Sequence, residues 1–300
     1  MWPASPPLSL RFHGHVRRAI RTGSDRDAPY PRSMSDFTVL VTGARGKIGR
    51  RVAAAARARG WQVREGSRAG GPAFDLADPD SWPALLDGAD AVFLLLPEGV
   101  AADPRFVEQA AAGRRLVLLS SRGIEEMGDR RLLEAEELVR GTARSWTILR
   151  PDWLNQNFSE GIFADSVRNG MLSLPVGPAR FAFIDTADLG EAAAAALDPH
   201  GGAAGTLELT GPEALSFGQA CAVLAAASGR PVAFDGSADT YRRGLLADGA
   251  PNEAVEAALA AFSALSDGTG PTSTLPELTG RPGISFSAFA AAAAAAGAWR

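Results

Sequence analysis

The stretch TVLVTGARGKIGRRV, Thr38 to Val52, decides the fold. A run of β-branched and leucine residues stops at three glycines spaced three apart, Gly43, Gly46 and Gly49, and helix-forming residues follow. The run reads as a strand, and KIGRRVAAAARARG as the helix after it. Between them, Gly43 gives the turn freedom in φ. Gly46 lets the backbone approach an anion with no Cβ in the way, and Gly49 lets the helix pack closely on the strand. Unpaired N–H groups and the helix dipole then favour a pyrophosphate at the helix N-terminus. Residues Gly43, Arg45, Gly46, Lys47, Ile48 and Gly49 are therefore the first candidate cofactor contacts; the alternative is a tight βα turn that binds nothing.

Outward from this turn the pattern alternates. WQVREGS (61–67), a short AFDL (73–76), ADAVFLLLP (89–97), RLVLLSS (115–121) and SWTILRP (145–151) read as strands, separated by helix-like DPDSWPALLDG, DPRFVEQAAAGR and DRRLLEAEELVRG. Continuous apolar strands alternating with helices predict a parallel sheet covered on both faces. Six such strands suit an α/β, doubly wound, Rossmann-type dinucleotide fold. After Pro151 the rhythm changes. Strand and helix patterns at 158–170, 181–199 and 205–236, helices at 238–248 and 252–266, a loop rich in Gly, Pro and Thr, and a final helix near 285–298 predict a smaller C-terminal α/β lobe over the carboxyl edge of the sheet. The expected organisation is an NAD(P)-binding core over 36–150 and a substrate lobe over 151–300, interleaved with it.

Residues 1–35 differ in composition, with six arginines and five prolines. They read as a disordered extension ahead of Met34, or as a basic targeting segment; no signal-peptide apolar region is present. The whole chain is 46% hydrophobic and 21% charged with net charge −4, so it carries a sizeable core and lacks the basic balance of a nucleic-acid binder. A single cysteine, Cys221, permits no internal disulfide and suits the cytoplasm. No apolar run reaches the roughly 20 residues of a membrane helix. Three histidines, His13, His15 and His200, give no metal-ligand spacing.

The tip of the second strand ends in Ser67 and Arg68. A hydroxyl beside a planar, permanently charged fork suits a 2′-phosphate, and Arg45 could reach the same group, so NADP(H) is favoured over NAD(H). Glu65 keeps NAD(H) open, because an acidic residue at this tip binds ribose hydroxyls. Asp75 and Leu76 are placed beside the adenine, and Leu95, Leu96 and Pro97 along the ribose. Asp78 has a second reading as a helix cap.

The TGxxGxxG turn at Thr42–Gly49 resembles the short-chain dehydrogenase/reductase superfamily. Three later segments narrow it: EAEELVRGTARSWTILRPDWLNQNF (134–158), FIDTADLGEAAAAAL, and GTLELTGPEALSFGQACAVLAAASGRPV. Together they are similar to the NmrA-like, atypical branch, across roughly 37–300. The resemblance implies a Rossmann fold, NAD(P) binding, and either quinone- or imine-type reductase activity or a non-catalytic redox-sensing role.

Ordinary members of the superfamily carry a catalytic tyrosine and a lysine four residues later. Here the only lysine is Lys47 and the only tyrosines are Tyr30 and Tyr241; Gly128 and Leu132 stand where the pair belongs. Ser120 and Ser121, after the fifth strand, contact the nicotinamide ribose, polarise a carbonyl, or simply cap the strand. Of Glu136 and Glu137, one is expected to face solvent and the other to act as a cap or to pair with Arg150. Asp185 and Asp188 read as helix caps. The loop RPDWLNQNFSEGIF supplies Trp153, Asn155, Asn157 and Phe158 as substrate contacts, suited to an aromatic or quinone-like molecule; for Trp153 and Phe158 the alternative is core between the lobes. A quinone or preformed iminium is already activated and needs little protein acid catalysis, so a reductase remains viable without the tyrosine–lysine pair. A redox sensor is the alternative. An epimerase or dehydratase, which needs the absent pair, is disfavoured. The expected partners are a small-molecule substrate, with no nucleic acid and no membrane, and a monomer or homodimer.

Overall fold

A computed structural model describes residues 36–69, 73–265 and 270–300; the expectations for residues 1–35 lie outside the described residues. The chain runs β1 (Thr38–Thr42), α1 (Gly49–Ala58), β2 (Gln62–Gly66), α2 (Pro83–Leu86), β3 (Ala91–Leu94), α3 (Pro104–Ala111), β4 (Arg115–Leu119), α4 (Ile124–Met127), α5 (Arg130–Thr142) and β5 (Ser145–Pro151). It continues with α6 (Asn157–Glu160), α7 (Ala164–Arg168), β6 (Met171–Ser173), β7 (Arg180–Phe181), α8 (Thr186–Leu197), β8 (Gly205–Leu209), β9 (Leu215–Ser216), α9 (Phe217–Ser228) and β10 (Ala233–Asp235). Four helices close it: α10 (Ala238–Ala247), α11 (Asn252–Ala264), α12 (Thr274–Thr279) and α13 (Phe286–Ala295).

Six parallel strands form one sheet in the order β2-β1-β3-β4-β5-β8. Alternate residues of each strand serve opposite faces. Val39, Val41, Phe93 and Val117 face α1 and α8, whereas Leu40, Val92, Leu94, Leu116 and Leu118 face α3 and α5. Both faces are dry, which is why these strands read as continuous apolar runs.

The membership of the sheet differs from the sequence expectation at two places. AFDL is not a strand. Phe74 packs edge-on to Phe106 at 5.8 Å, and the Asp75 carbonyl is occupied by side chains, Trp82 Nε1 at 3.0 Å and Ser81 Oγ at 3.0 Å. β2 is therefore the edge on that side. The sixth strand is β8, drawn from the C-terminal half, whose register runs Thr147–Gly205 to Pro151–Leu209. Part of the Gly/Pro/Thr-rich loop is also helical, as α12, because Leu275 buries against the α1/α8 face of the sheet.

Over the carboxyl edge lies a second core built largely of aromatic rings: Phe158, Phe163, Phe181, Phe183, Phe217 and Phe286, with neighbouring centroids 5.1–6.3 Å apart. Two short pairs, β6–β10 and β7–β9, frame it. The Ser216 hydroxyl caps α9 in a reciprocal box with Gln219, and Asp185 caps α8 through Ala187 N at 2.8 Å. Asp188, expected as a second cap, does something else. It is fully buried one turn into α8 and accepts from Ile284 N at 2.6 Å, with the Arg281 guanidinium 2.7 Å away, tying the C-terminal segment to the sheet's helix. Burial raises its pKa, against the opposing pull of those two partners.

Candidate active site

The glycine turn is built as its spacing requires. Gly43 has φ +62°, and a Cβ on Gly49 would stand 2.2 Å from the Gly43 carbonyl oxygen and 2.8 Å from Ala44 Cα. Gly49 thus lets α1 start directly against the turn. Gly46 is exposed, and a Cβ there would meet only the Gly43 oxygen, at 3.3 Å. No side chain caps α1; Arg50 N bonds back to the Gly46 carbonyl at 3.1 Å. The approach to the N-terminus is therefore bare backbone with room in front of it.

Ala44 N bonds the Gly66 carbonyl at 3.3 Å, which brings the next residues, Arg45 and Ser67, to one edge. Arg45 and Arg68 are exposed and have no partner among the described residues. The Ser67 hydroxyl is buried and unpartnered. An uncapped helix, a cradle that a Cβ would fill, and an orphaned hydroxyl flanked by two arginines together fit a phosphorylated dinucleotide. Asp75 and Leu76 stand differently: the Asp75 carboxylate closes its own turn on Ala77 N at 3.0 Å, and Leu76 packs on the core. Leu95 covers Gly43 and Pro97 is exposed, but Leu96 is buried in the α3/α5 core. Thr42 Oγ1 locks the ends of β1 and β3 together, donating to Leu95 O at 2.9 Å and accepting from Leu95 N at 2.7 Å.

Beside the turn opens a cavity of about 460 Å³ between the tips of β4 and β5, α4, and residues of the C-terminal half of the chain. Of the residues singled out in the sequence, Ile48, Ser120, Ser121, Trp153 and Asn157 line it. Asn155 and Phe158 do not. Asn155 is fully buried with its amide nitrogen 3.5 Å from Asp185, and Phe158 is fully buried at the hub of the aromatic core. Trp153 serves both roles: it faces the cavity and packs on Phe163 and Phe217 at 5.6 Å.

The floor is a charge network. Glu136, with no exposed surface, accepts from Ser120 Oγ at 2.6 Å and from Arg150 Nε and Nη2, each at 2.7 Å, with Arg140 on its second oxygen. Burial pushes its pKa up, but the bonds from Arg150 and Ser120 and the guanidinium charges outweigh it and hold the carboxyl below its usual range. Arg150 reaches on to Glu125 at 2.7 Å. Asp152 is raised by burial, against the N–H groups of Trp153 and Ala182 and Arg122 at 3.2 Å. Because an ionised Glu136 only accepts, the Ser120 proton points away from the cavity, and Ser120 can offer a ligand only its lone pairs.

Lys47 reaches from the glycine turn across to α6, where its Nζ donates to Asn157 Oδ1. Burial lowers its pKa, Glu160 opposes that, and Arg51 adds to it. Sequence reasoning missed Arg122, Met127, Asp152, Phe181, Glu208 and Leu265, all of which line the cavity. Arg122 and Asp152 adjoin residues the sequence singled out; Phe181, Glu208 and Leu265 come from distant segments with no local signal. Among the described residues, no group of three or more His, Cys, Asp or Glu is placed to hold a metal, and no helix is long and apolar enough to cross a membrane.

The strand order and the glycine turn define a Rossmann-type fold, the fold of solved reductases and of an epimerase-family protein. No protein-family model matches the chain. It is 30% identical to the NAD(P)H azoreductase of Xenophilus azovorans, over 84% of this chain and 96% of that one. It is 32% identical to the (4-alkanoyl-5-oxo-2,5-dihydrofuran-3-yl)methyl phosphate reductase of Streptomyces griseus, over the same shares, 84% and 96%. Among solved structures, it superposes on an NADPH-dependent quinone oxidoreductase of Escherichia coli with a TM-score of 0.66 and 21% identity, covering 85% of this chain and 98% of that one. A Citrobacter triphenylmethane reductase complexed with NADP(H) gives 0.64 at 19%, covering 86% and 100%. The chain belongs to the NmrA-like, atypical branch of the short-chain dehydrogenase/reductase superfamily.

Proposed function

We propose that this protein is an NAD(P)H-dependent reductase that passes hydride directly to an activated small electrophile, such as a quinone, an azo compound or an iminium, without a tyrosine–lysine acid pair. One observation carries the reading. A cavity large enough for a ring system adjoins the glycine turn, and among the described residues no tyrosine, lysine or histidine lines it. Tyr241 packs instead on Phe262 at 5.6 Å, and Lys47 stands behind Asn157. Family members that reduce azo and quinone compounds support the same class of acceptor.

The turn at 43–49 would hold the pyrophosphate, and Arg45, Ser67 and Arg68 a 2′-phosphate, which favours NADP(H); NAD(H) remains compatible with Glu65. A reduced nicotinamide, when bound, supplies the hydride. The chain's own work is to shape and dry the cavity. Trp153, Met127, Leu265 and Phe181 give apolar walls to an aromatic acceptor, joined by Ala264 at the end of α11. The paired Arg150–Glu136 and Arg122–Asp152 fix the floor, so that little reorganises when charge moves above it.

The test follows NADPH oxidation by the nicotinamide absorbance with a panel of quinones, azo compounds and cationic dyes, alongside calorimetric NADPH binding. Turnover of at least one acceptor class is expected. NADPH binding with no turnover of any acceptor refutes the reductase and supports a redox sensor.

A further inference from the structure

This inference rests on the reductase reading and concerns which group polarises the electrophile. Ser120 is spent: its proton goes to Glu136 at 2.6 Å. Asn157 is placed otherwise. It opens α6, lines the cavity, and its Oδ1 accepts from Lys47 Nζ. A Cβ on Gly161 would lie 2.8 Å from Lys47 Nζ and 3.1 Å from Asn157 Oδ1, so oxygen and amine lie together beside Gly161, and neither Gly161 nor Lys47 lines the cavity. An ammonium donates and cannot accept; burial lowers the Lys47 pKa, and the Glu160 carboxylate opposes that and favours the charged form. The amide is therefore locked with its oxygen towards Lys47 and its NH₂ on the other side. Among the described residues nothing accepts from Asn157 Nδ2, and it is absent from the buried unpartnered groups, so this nitrogen is open to the cavity.

We propose that Asn157 polarises the acceptor, presenting its amide N–H groups to the oxygen or nitrogen on which negative charge develops, and that Lys47 is the positioning residue that fixes that orientation. For a quinone the balance is simple. One hydride, two electrons with one hydrogen, leaves a C–H bond of the reduced nicotinamide, which is oxidised. A bond to hydrogen forms on the quinone, the charge settles on a ring oxygen facing Asn157, and a proton from water completes the hydroquinone. A cationic triarylmethyl dye takes the same hydride at its central carbon and becomes neutral, so it develops no charge for Asn157 to hold.

Two acceptors thus separate donor loss from general damage. Asn157→Asp keeps size and the contact to Lys47 but only accepts. The ratio of kcat for menadione to kcat for a triarylmethyl dye is expected to fall about 100-fold, the usual cost of one lost oxyanion donor. Lys47→Met, which frees the amide to rotate, lowers the same ratio about 10-fold; both acceptors share the cofactor, so weaker NADPH binding cancels. A second readout needs no turnover. The chain has four asparagines, 155, 157, 169 and 252. In protein labelled with [15N]asparagine and saturated with oxidised NADP, menadione should shift the Asn157 side-chain amide protons downfield and leave the other three pairs in place. If the wild type reduces menadione but neither variant changes the ratio and the Asn157 amide does not move, this inference is wrong and the reductase reading stands. If the wild type reduces neither acceptor, both fall.

Discussion

Gly46→Ala probes the anion cradle while sparing the fold. The new Cβ would meet one atom within 4 Å, the Gly43 oxygen at 3.3 Å, so the turn need give only by tenths of an ångström. Stability should stay within about 0.5 kcal/mol of wild type. The methyl, however, stands in the space through which a phosphate reaches the α1 N–H groups. Holding that phosphate off the backbone forfeits a charge-assisted hydrogen bond, about 1.5–3 kcal/mol, so the NADPH dissociation constant should rise about 10- to 150-fold. Gly49→Ala is the opposite case. Its Cβ would sit 2.2 Å from the Gly43 oxygen and 2.7 Å from the Gly43 carbonyl carbon, backbone atoms that cannot rotate away. The helix gain of about 1 kcal/mol is outweighed by overpacking of about 3 kcal/mol at this separation. A net loss of about 2 kcal/mol should lower the melting temperature by roughly 4–8 °C. Calorimetric titration with NADPH and thermal unfolding of the unliganded variants measure both. A Gly46→Ala protein that binds NADPH as the wild type does would refute the placement of the pyrophosphate, and an undiminished melting temperature for Gly49→Ala would refute the packing argument.

Arg68→Asp should weaken NADPH far more than NADH in paired titrations; equal losses would show that Arg68 does not read a 2′-phosphate. Glu136→Gln leaves Arg150 facing an amide in a dry site and should cost about 3 kcal/mol in urea unfolding. Because the folded Glu136 carboxyl sits below its ordinary 4.5, its contribution is complete above that value and is lost as pH falls through the depressed folded value. The wild type should therefore lose stability with acid more steeply than the Gln variant below about 4.5, and parallel curves would refute the assignment. Cys221 is buried and its pKa pushed up to about 12, so a disulfide reagent should label it only on unfolding; rapid labelling of the native protein would contradict the packing of α9.

Much of the fold was legible locally. Strands buried on both faces have to be apolar throughout, and a helix that starts against a tight turn has to begin with glycine, so residues 38–52 carry the first βα unit by themselves. Asp185 declared its helix for the same reason: caps act over two or three residues. AFDL misled because β-propensity counts side chains and not the bonds already made by a backbone; Trp82 and Ser81 take the Asp75 carbonyl that a ladder would need. Asn155 and Phe158 misled for a related reason. Polar and aromatic residues in a loop look like a binding surface until packing shows which of them point inward.

The sequence alone determined the class of protein: the strand–glycine–helix junction, the alternating β/α rhythm and the absence of a tyrosine–lysine pair are set by residue identity and short spacings. Only the tertiary structure decided which chain segment completes the sheet and which groups meet at the cavity. Glu136 meets Ser120, Lys47 meets Asn157 across 110 positions, and Leu265 lines the cavity. Such contacts are chosen by the crossings of the chain, and burial and charge pairing across those crossings leave no periodic trace in the order of the amino acids.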